Sequence, residues 1–205
     1  NETARVVVEK YVNPRKAEWP EAEYVVGNPP FLGKLYISSE LGEGYAAALR
    51  TAYQGAVPDG SDLVLYWWQK AGALVRAGRL SRFGLVTTNS ITQAMNRRIV
   101  AGALAAEPPL HLAFAIPDHP WVEAEGGASV RIAMTVGAPG RGSGRLAVVA
   151  GEEPPRGFDD AVPVMLRERL GRIQEDLTVG PDISGAVPLV ANAGLASMGP
   201  MLGSR

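Results

Sequence analysis

Tyr24-Val25-Val26-Gly27-Asn28-Pro29-Pro30-Phe31 is an apolar run that ends abruptly in a polar amide, two prolines and an aromatic ring. The run is β-branched and short, as a buried strand is. Pro29 biases Asn28 toward extended backbone, Pro30 does the same to Pro29, and neither proline has an N–H. The result is a stiff turn rich in acceptors. The Asn28 side-chain carbonyl and the Pro29 main-chain carbonyl can converge on one donor group with two hydrogens, such as an exocyclic amine, and Phe31 offers a flat face for stacking. The competing reading is a Pro-Pro turn that merely closes a strand.

Working outward, strands and helices alternate. Val6–Val8 is a second β-branched run, set apart from the motif strand by the polar segment Pro14–Glu23 and its Trp19-Pro20 break. Ser39–Gln54 predicts one helix, with Leu41, Tyr45, Leu49 and Tyr53 at four-residue steps. Val57-Pro58-Asp59-Gly60 is a turn, and Ser61 or Asp62 is placed to cap a helix running to about Ala77 and stopping at Gly78. Arg82–Thr88 reads as the next strand and Thr92–Leu104 as the next helix, before Pro108-Pro109. The apolar run Leu110–Ile116, a Pro-Asp-His-Pro-Trp turn, and strands at Ser129–Val136 and Arg145–Val149 follow, with Gly140–Gly144 as a hairpin loop. This order implies an α/β domain with a mostly parallel, doubly wound sheet, and the close spacing of the last runs implies an antiparallel hairpin at one edge.

Composition sets limits. In 205 residues, 46% apolar and 20% charged, there is material for one good core, and the class is globular. No run reaches membrane-spanning length and no basic-then-apolar leader opens the chain, so a cytoplasmic protein with no membrane partner is expected. The absence of cysteine excludes disulfides, a thiolate nucleophile and a zinc–cysteine site. The two histidines, His111 and His119, have no nearby carboxylate cluster, so no metal site is expected, and Asp118-His119 lacks the serine elbow of a hydrolytic triad. A net charge of −1 means that any grip on nucleic acid is local or supplied by other sequence.

The Asn28–Phe31 turn resembles the Asn-Pro-Pro-Phe/Tyr motif of amino-group DNA methyltransferases, and the resemblance extends further. Asp62-Leu63-Val64-Leu65-Tyr66-Trp67-Trp68, Gly84-Leu85-Val86-Thr87-Thr88-Asn89-Ser90-Ile91, Pro117-Asp118-His119-Pro120-Trp121-Val122 and Ala128-Ser129-Val130-Arg131-Ile132 occur in the order and spacing of one group. That group is the single-polypeptide type II restriction-modification methyltransferases and related phage-exclusion methylases. The similarity covers about Glu18 to Val136, with a weaker echo at Asn192–Arg205. It implies the C-terminal half of a Rossmann-like methyltransferase sheet, with S-adenosylmethionine as methyl donor, double-stranded DNA as partner and the adenine N6 amine as acceptor after base flipping. Accepting both N–H bonds of that amine would free its lone pair, which is otherwise delocalised into the ring. Cytosine N4 is the near neighbour, and a noncatalytic α/β nucleotide-binding or scaffold module is the alternative of a different class.

In this reading Asn28, Pro29, Pro30 and Phe31 are catalytic, and Asn28 also touches the cofactor's edge. The Gly-rich turn and acidic strand end that normally hold S-adenosylmethionine do not precede Asn28, and Gly140–Gly144 opens no helix. The chain is therefore expected to be a fragment, inactive alone, whose N-terminal partner in the same polypeptide carries the cofactor motif. Lys34, Asn89, Ser90, Arg97 and Arg98 follow the active-edge strands and are candidate nucleic-acid contacts, against default roles as helix caps and solvated charge. Trp67 and Trp68, adjacent on a helix, cannot both face the core. The organisation expected is a partial catalytic domain at residues 1–150, a connector at 151–177 with a helix over Ala161–Leu177, and the start of a target-recognition domain at 178–205.

Overall fold

The fold is built outward from two adjacent strands in a computed structural model that describes residues 9–121, 130–152 and 162–180. Strand β1 (Tyr24–Gly27) carries the motif and pairs in parallel with β2 (Arg82–Thr88), Gly27 opposite Leu85. Phe83, Leu85 and Thr87 alternate inward along β2 and are buried. They face α3 (Val64–Arg76), the crossover between the two strands, which buries Val64, Leu65, Trp68, Ala71 and Val75 along one stripe. Trp68 is fully buried, meets Phe83 edge to face at 5.2 Å and donates its indole N–H to Thr135 Oγ1 at 3.0 Å. Packing at this point is close enough that Gly137, opposite Phe83 in the ladder, has no room for a Cβ beside the ring.

The described residues form a six-stranded sheet in the order β1-β2-β4-β3-β5-β6, with β3 at Leu110–Trp121, β4 at Val130–Pro139, β5 at Gly144–Glu152 and β6 at Val164–Gly171. The pairings make β1, β2, β3 and β5 run one way, with β4 and β6 reversed. The expected α/β class and mixed sheet stand, and the antiparallel edge is the β5–β6 pair. The other reversed strand, β4, is interior, inserted between β2 and β3. Helix α4 (Arg97–Ala105) follows β2 through a 3-10 turn at Asn89–Thr92 and packs against α3.

Several local expectations are corrected. The Ala161–Leu177 helix is instead strand β6, whose residues pair from Glu152↔Val164 to Gly144↔Gly171 with β5. Its apolar residues at steps of two, four and three suit either period, and long-range pairing decides. The Ser39–Gln54 helix is split into α1 (Ile37–Leu41) and α2 (Glu43–Ala52) at Gly42, whose φ of 85° belongs to the left-handed region. The helix expected from Thr92 begins only at Arg97, and the Pro117–Trp121 turn continues β3. Gly140–Gly144 is no hairpin loop, because β4 and β5 flank β3. The segment straps across the start of β3, with Gly140 N–H donating to Pro109 O and His111 Nδ1–H to Gly140 O. Val6–Val8 lies outside the described residues, as does most of 178–205.

Candidate active site

Because β1 and β2 are parallel, the Asn28 turn and the Thr88-Asn89-Ser90 segment leave the sheet at the same edge, where open α/β sheets bind ligands. Asn28 is exposed, and among the described residues nothing bonds its side chain, so its carbonyl and its amide are open to a ligand. Pro29 is buried and anchors the turn, Pro30 is exposed and Phe31 is half-buried. The chain after the turn is held from α3: Leu63 N–H donates to Leu32 O at 2.9 Å, and Lys34 N–H donates to Asp62 Oδ1 at 3.0 Å.

Asp62 is the centre of that support. Its Oδ2 accepts from Ser90 Oγ at 2.6 Å and from Asn96 Nδ2 at 2.9 Å. A carboxylate only accepts, so Ser90 is the donor to it, and Thr88 Oγ1 must donate in turn to Ser90 Oγ at 2.6 Å. Asn96, 4% exposed, closes the ring: its Nδ2 also reaches Ser90 O at 3.1 Å, and its Oδ1 accepts Asp62 N–H at 3.3 Å. One acid thus ties together the segment after the turn, the end of β2 and the approach to α4.

A second cluster begins one residue away. Asn89 Nδ2 donates to Asp118 Oδ1 at 3.1 Å, and Arg131 bridges Asp118 at 2.6 Å and Glu152 at 2.8 Å. Those two carboxylate hydrogen bonds hold the Arg131 guanidinium even more firmly protonated than usual, against a smaller opposing effect of burial. Asp118 is therefore committed to Asn89 and Arg131, and His119 bonds only the neighbouring Pro120 O, at 2.7 Å. Among the described residues no acidic, histidine and cysteine side chains gather as a metal site would require.

Beside the turn a groove of about 490 Å³ is lined by Pro30, Phe31, Tyr36, Leu63 and Trp67 among others. The larger cavity, about 740 Å³, lies elsewhere, between the 54–59 loop, α3 and α4. The smaller groove is the one that adjoins open acceptors and an aromatic face, which is the chemistry a planar base needs.

The structure brings Lys34 and Ser90 together through Asp62 and sends Asn89 to the Asp118 cluster. The Lys34 side chain is exposed, and its stem lies beside Gly60. Arg97 is exposed at the start of α4, whereas Arg98 lines the distant cavity and is not brought to the turn. The expected caps are not made: α3 has no side-chain cap, and neither does the 3-10 turn after β2. Asp62 was legible only as a possible helix cap, and Asn96 only as a residue within the helix expected from Thr92. The two tryptophans separate as their adjacency requires, Trp68 into the core and Trp67 into the groove beside Phe31.

Residues 2–146 match the model of the protein family described as MmeI, DNA-methyltransferase domain. The chain belongs to that family. The MmeI-family match takes in the turn, the Asp62 network and the Asn89–Asp118–Arg131 contacts, and ends inside β5. The fold is similar to that of the type IIL restriction-modification enzyme MmeI, solved in complex with DNA. Identity is 23% and the TM-score 0.55, over 78% of this chain and 20% of the MmeI chain. This chain thus spans about a fifth of the MmeI structure it matches. A type I restriction-enzyme modification subunit from Vibrio vulnificus YJ016 is 14% identical over 67% of this chain and 27% of its own, with a TM-score of 0.45. The type IIG restriction endonuclease BpuSI is 13% identical over 72% of this chain and 19% of its own, with a TM-score of 0.41. No curated protein matches the chain. The methyltransferase resemblance carried by the motifs is met at the level of the family.

Proposed function

We propose that this chain carries the target-base half of a DNA methyltransferase acting on the N6 amine of adenine in double-stranded DNA, after base flipping, within a restriction-modification or phage-defence system. The observation that carries the reading is the open Asn28 side chain at the carboxyl end of β1, followed by Pro-Pro-Phe and flanked by the aromatic groove. In this reading Asn28 Oδ1 and Pro29 O accept the two N–H bonds of the amine, and Phe31 stacks on the ring. Lys34, Asn89, Ser90 and Arg97 keep their proposed roles near DNA, with Ser90 acting through Asp62, whereas Arg98, on the cavity away from the turn, does not.

S-adenosylmethionine is the methyl donor in this proposal, but the described residues offer it no complete cradle. Their glycine cluster is the strap across β3, and no strand–glycine turn–helix unit accompanies it. We therefore assign Asn28 an edge contact with the cofactor and the rest of its binding to another part of the polypeptide. The domain division is proposed with it: residues 1–150 catalytic, 151–177 connecting, with β6 as the paired strand, and 178–205 leading into a target-recognition domain. A cytoplasmic place beside DNA is proposed with the DNA substrate; no helix among the described residues is long and apolar enough to cross a membrane.

The test is transfer of a labelled methyl group to adenine-containing duplex DNA, by the longest native polypeptide carrying this sequence and by residues 1–205 alone. Asn28→Ala should lower turnover in the longer protein about a hundredfold or more without changing its melting temperature, since one transition-state acceptor is worth roughly 3 kcal/mol. Near-normal turnover in that variant removes Asn28 from the mechanism, and label found on cytosine reassigns the target. Residues 1–205 alone should show neither transfer nor a saturable heat with S-adenosylmethionine, and a saturable heat would refute the second cofactor-binding part.

A further inference from the structure

A second cleft, of about 370 Å³, opens between the 11–19 segment, α2 and α3. Its walls are aromatic and its rim is basic. Lys16 Nζ stands 4.6 Å from the centroid of Tyr53, and Lys70 Nζ stands 5.2 Å from that of Trp19, with Arg15 on the same lining. None of these three cations is in an ion pair with a described carboxylate: the described pairs involve Arg131, Arg141 and Arg145. Glu18, exposed, is the acid that acts on Lys70 from nearby, and Glu9 accepts the Tyr11 hydroxyl at 3.1 Å. Burial, and then the neighbouring Lys16 charge, depress the affinity of Lys70 for its proton. Like charges held together in a partly dry cleft repel, and an anion placed between them relieves that repulsion. In a chain of net charge −1, such a concentration is local and directed.

The cleft adjoins the groove beside the Asn28 turn: Tyr45 and Trp67 line both. We propose that Arg15, Lys16 and Lys70 form a phosphate subsite that holds the DNA backbone flanking the base at the Asn28 turn. The aromatic wall suits that occupant: bases stack on it while the cations track the phosphates. This assignment rests on the methyltransferase reading above, whose own residues are not among the three.

The test is binding of a fluorescent duplex to the longest native polypeptide carrying this sequence, across a range of salt concentrations. Lys16→Met/Lys70→Met keeps the aliphatic stems and removes the charges. It should weaken DNA binding roughly tenfold and reduce the slope of log affinity against log salt by about 1–2, the value for one or two phosphate contacts. Lys16→Arg/Lys70→Arg should retain the slope. An unchanged slope in the methionine variant, in a protein that binds DNA, overturns the subsite alone. A wild-type longer polypeptide that fails to bind duplex at all overturns the DNA reading together with the subsite. Inorganic phosphate distinguishes the source: if it saturates the cleft, seen as a tryptophan fluorescence change that Trp19→Phe removes, while DNA affinity ignores both lysines, the cleft serves a small anion and the proposal is wrong.

Discussion

Asp62→Asn isolates the support of the active-site turn, because it conserves volume while removing a charge and one acceptor. In the native protein Oδ1 receives Lys34 N–H, and Oδ2 receives both Ser90 Oγ–H and Asn96 Nδ2–H. An amide can keep its oxygen only on one side. The better choice is the side where two donors converge, which leaves the new NH₂ facing Lys34 N–H. Two charge-assisted bonds become neutral at a cost of about 1 kcal/mol each, and the orphaned Lys34 N–H costs about 1 more, reduced because water reaches that exposed residue. The sum is about 2–3 kcal/mol, which for a protein of this size lowers the melting temperature by about 4–12 °C. Thermal unfolding by circular dichroism measures the shift, and hydrogen exchange localises it. Lys34 N–H and Leu63 N–H should exchange faster, while amides in β2 keep their protection. Asp59→Asn is the control, an exposed acid with no side-chain hydrogen bond among the described residues, and should stay within about 0.5 kcal/mol. If Asp62→Asn melts within about 1 °C of the wild type, the carboxylate is not the anchor described here.

Two further outcomes follow from the core. Trp68→Phe deprives the buried Thr135 hydroxyl of its donor and opens a gap under β4, so denaturant unfolding should show a loss of about 2–4 kcal/mol. Combined with Thr135→Val, the loss should be less than additive, and strict additivity would deny the bond any energetic role. Burial raises the phenol pKa of Tyr53 and Tyr66 above the usual value of about 10. A raised folded-state pKa gives stability that is complete below the unfolded value and is lost as pH rises through the folded one. Tyr53→Phe/Tyr66→Phe should therefore flatten the alkaline side of a stability–pH curve above about pH 10, and an unaltered curve would rule out these phenols as its cause.

Legibility in the sequence divided along physical lines. β2 was readable residue for residue as Arg82–Thr88, because one of its faces is buried against α3 and its alternation shows it. β6 was not, because it is an edge strand that buries little: Leu170 is 81% exposed and Met165 64%. Without a buried face there is no period to read, and its state is decided by β5, which lies elsewhere in the chain. The break at Gly42 was hidden for a different reason, since apolar spacing continues across it while the backbone turns.

The candidate site divides in the same way. Asn28-Pro29-Pro30-Phe31 is contiguous, and proline acts on the residue beside it, so the turn's stiffness and its acceptors are visible in four letters. What holds the turn in place is not local. Lys34 and Ser90 each lie 28 residues from Asp62, and Asn96 lies 34. Asp, Ser and Asn all have an ordinary occupation at helix starts, so in sequence they are explained before they are noticed. The two halves have different consequences when altered. A change within the turn removes an acceptor from exposed chemistry and leaves the fold alone, whereas a change at Asp62 loosens three segments at once and reaches the turn only through them. The residues proposed to be catalytic are therefore the ones motif reading finds, while the residues that fix their geometry are found by following hydrogen bonds outward from Lys34 and Ser90.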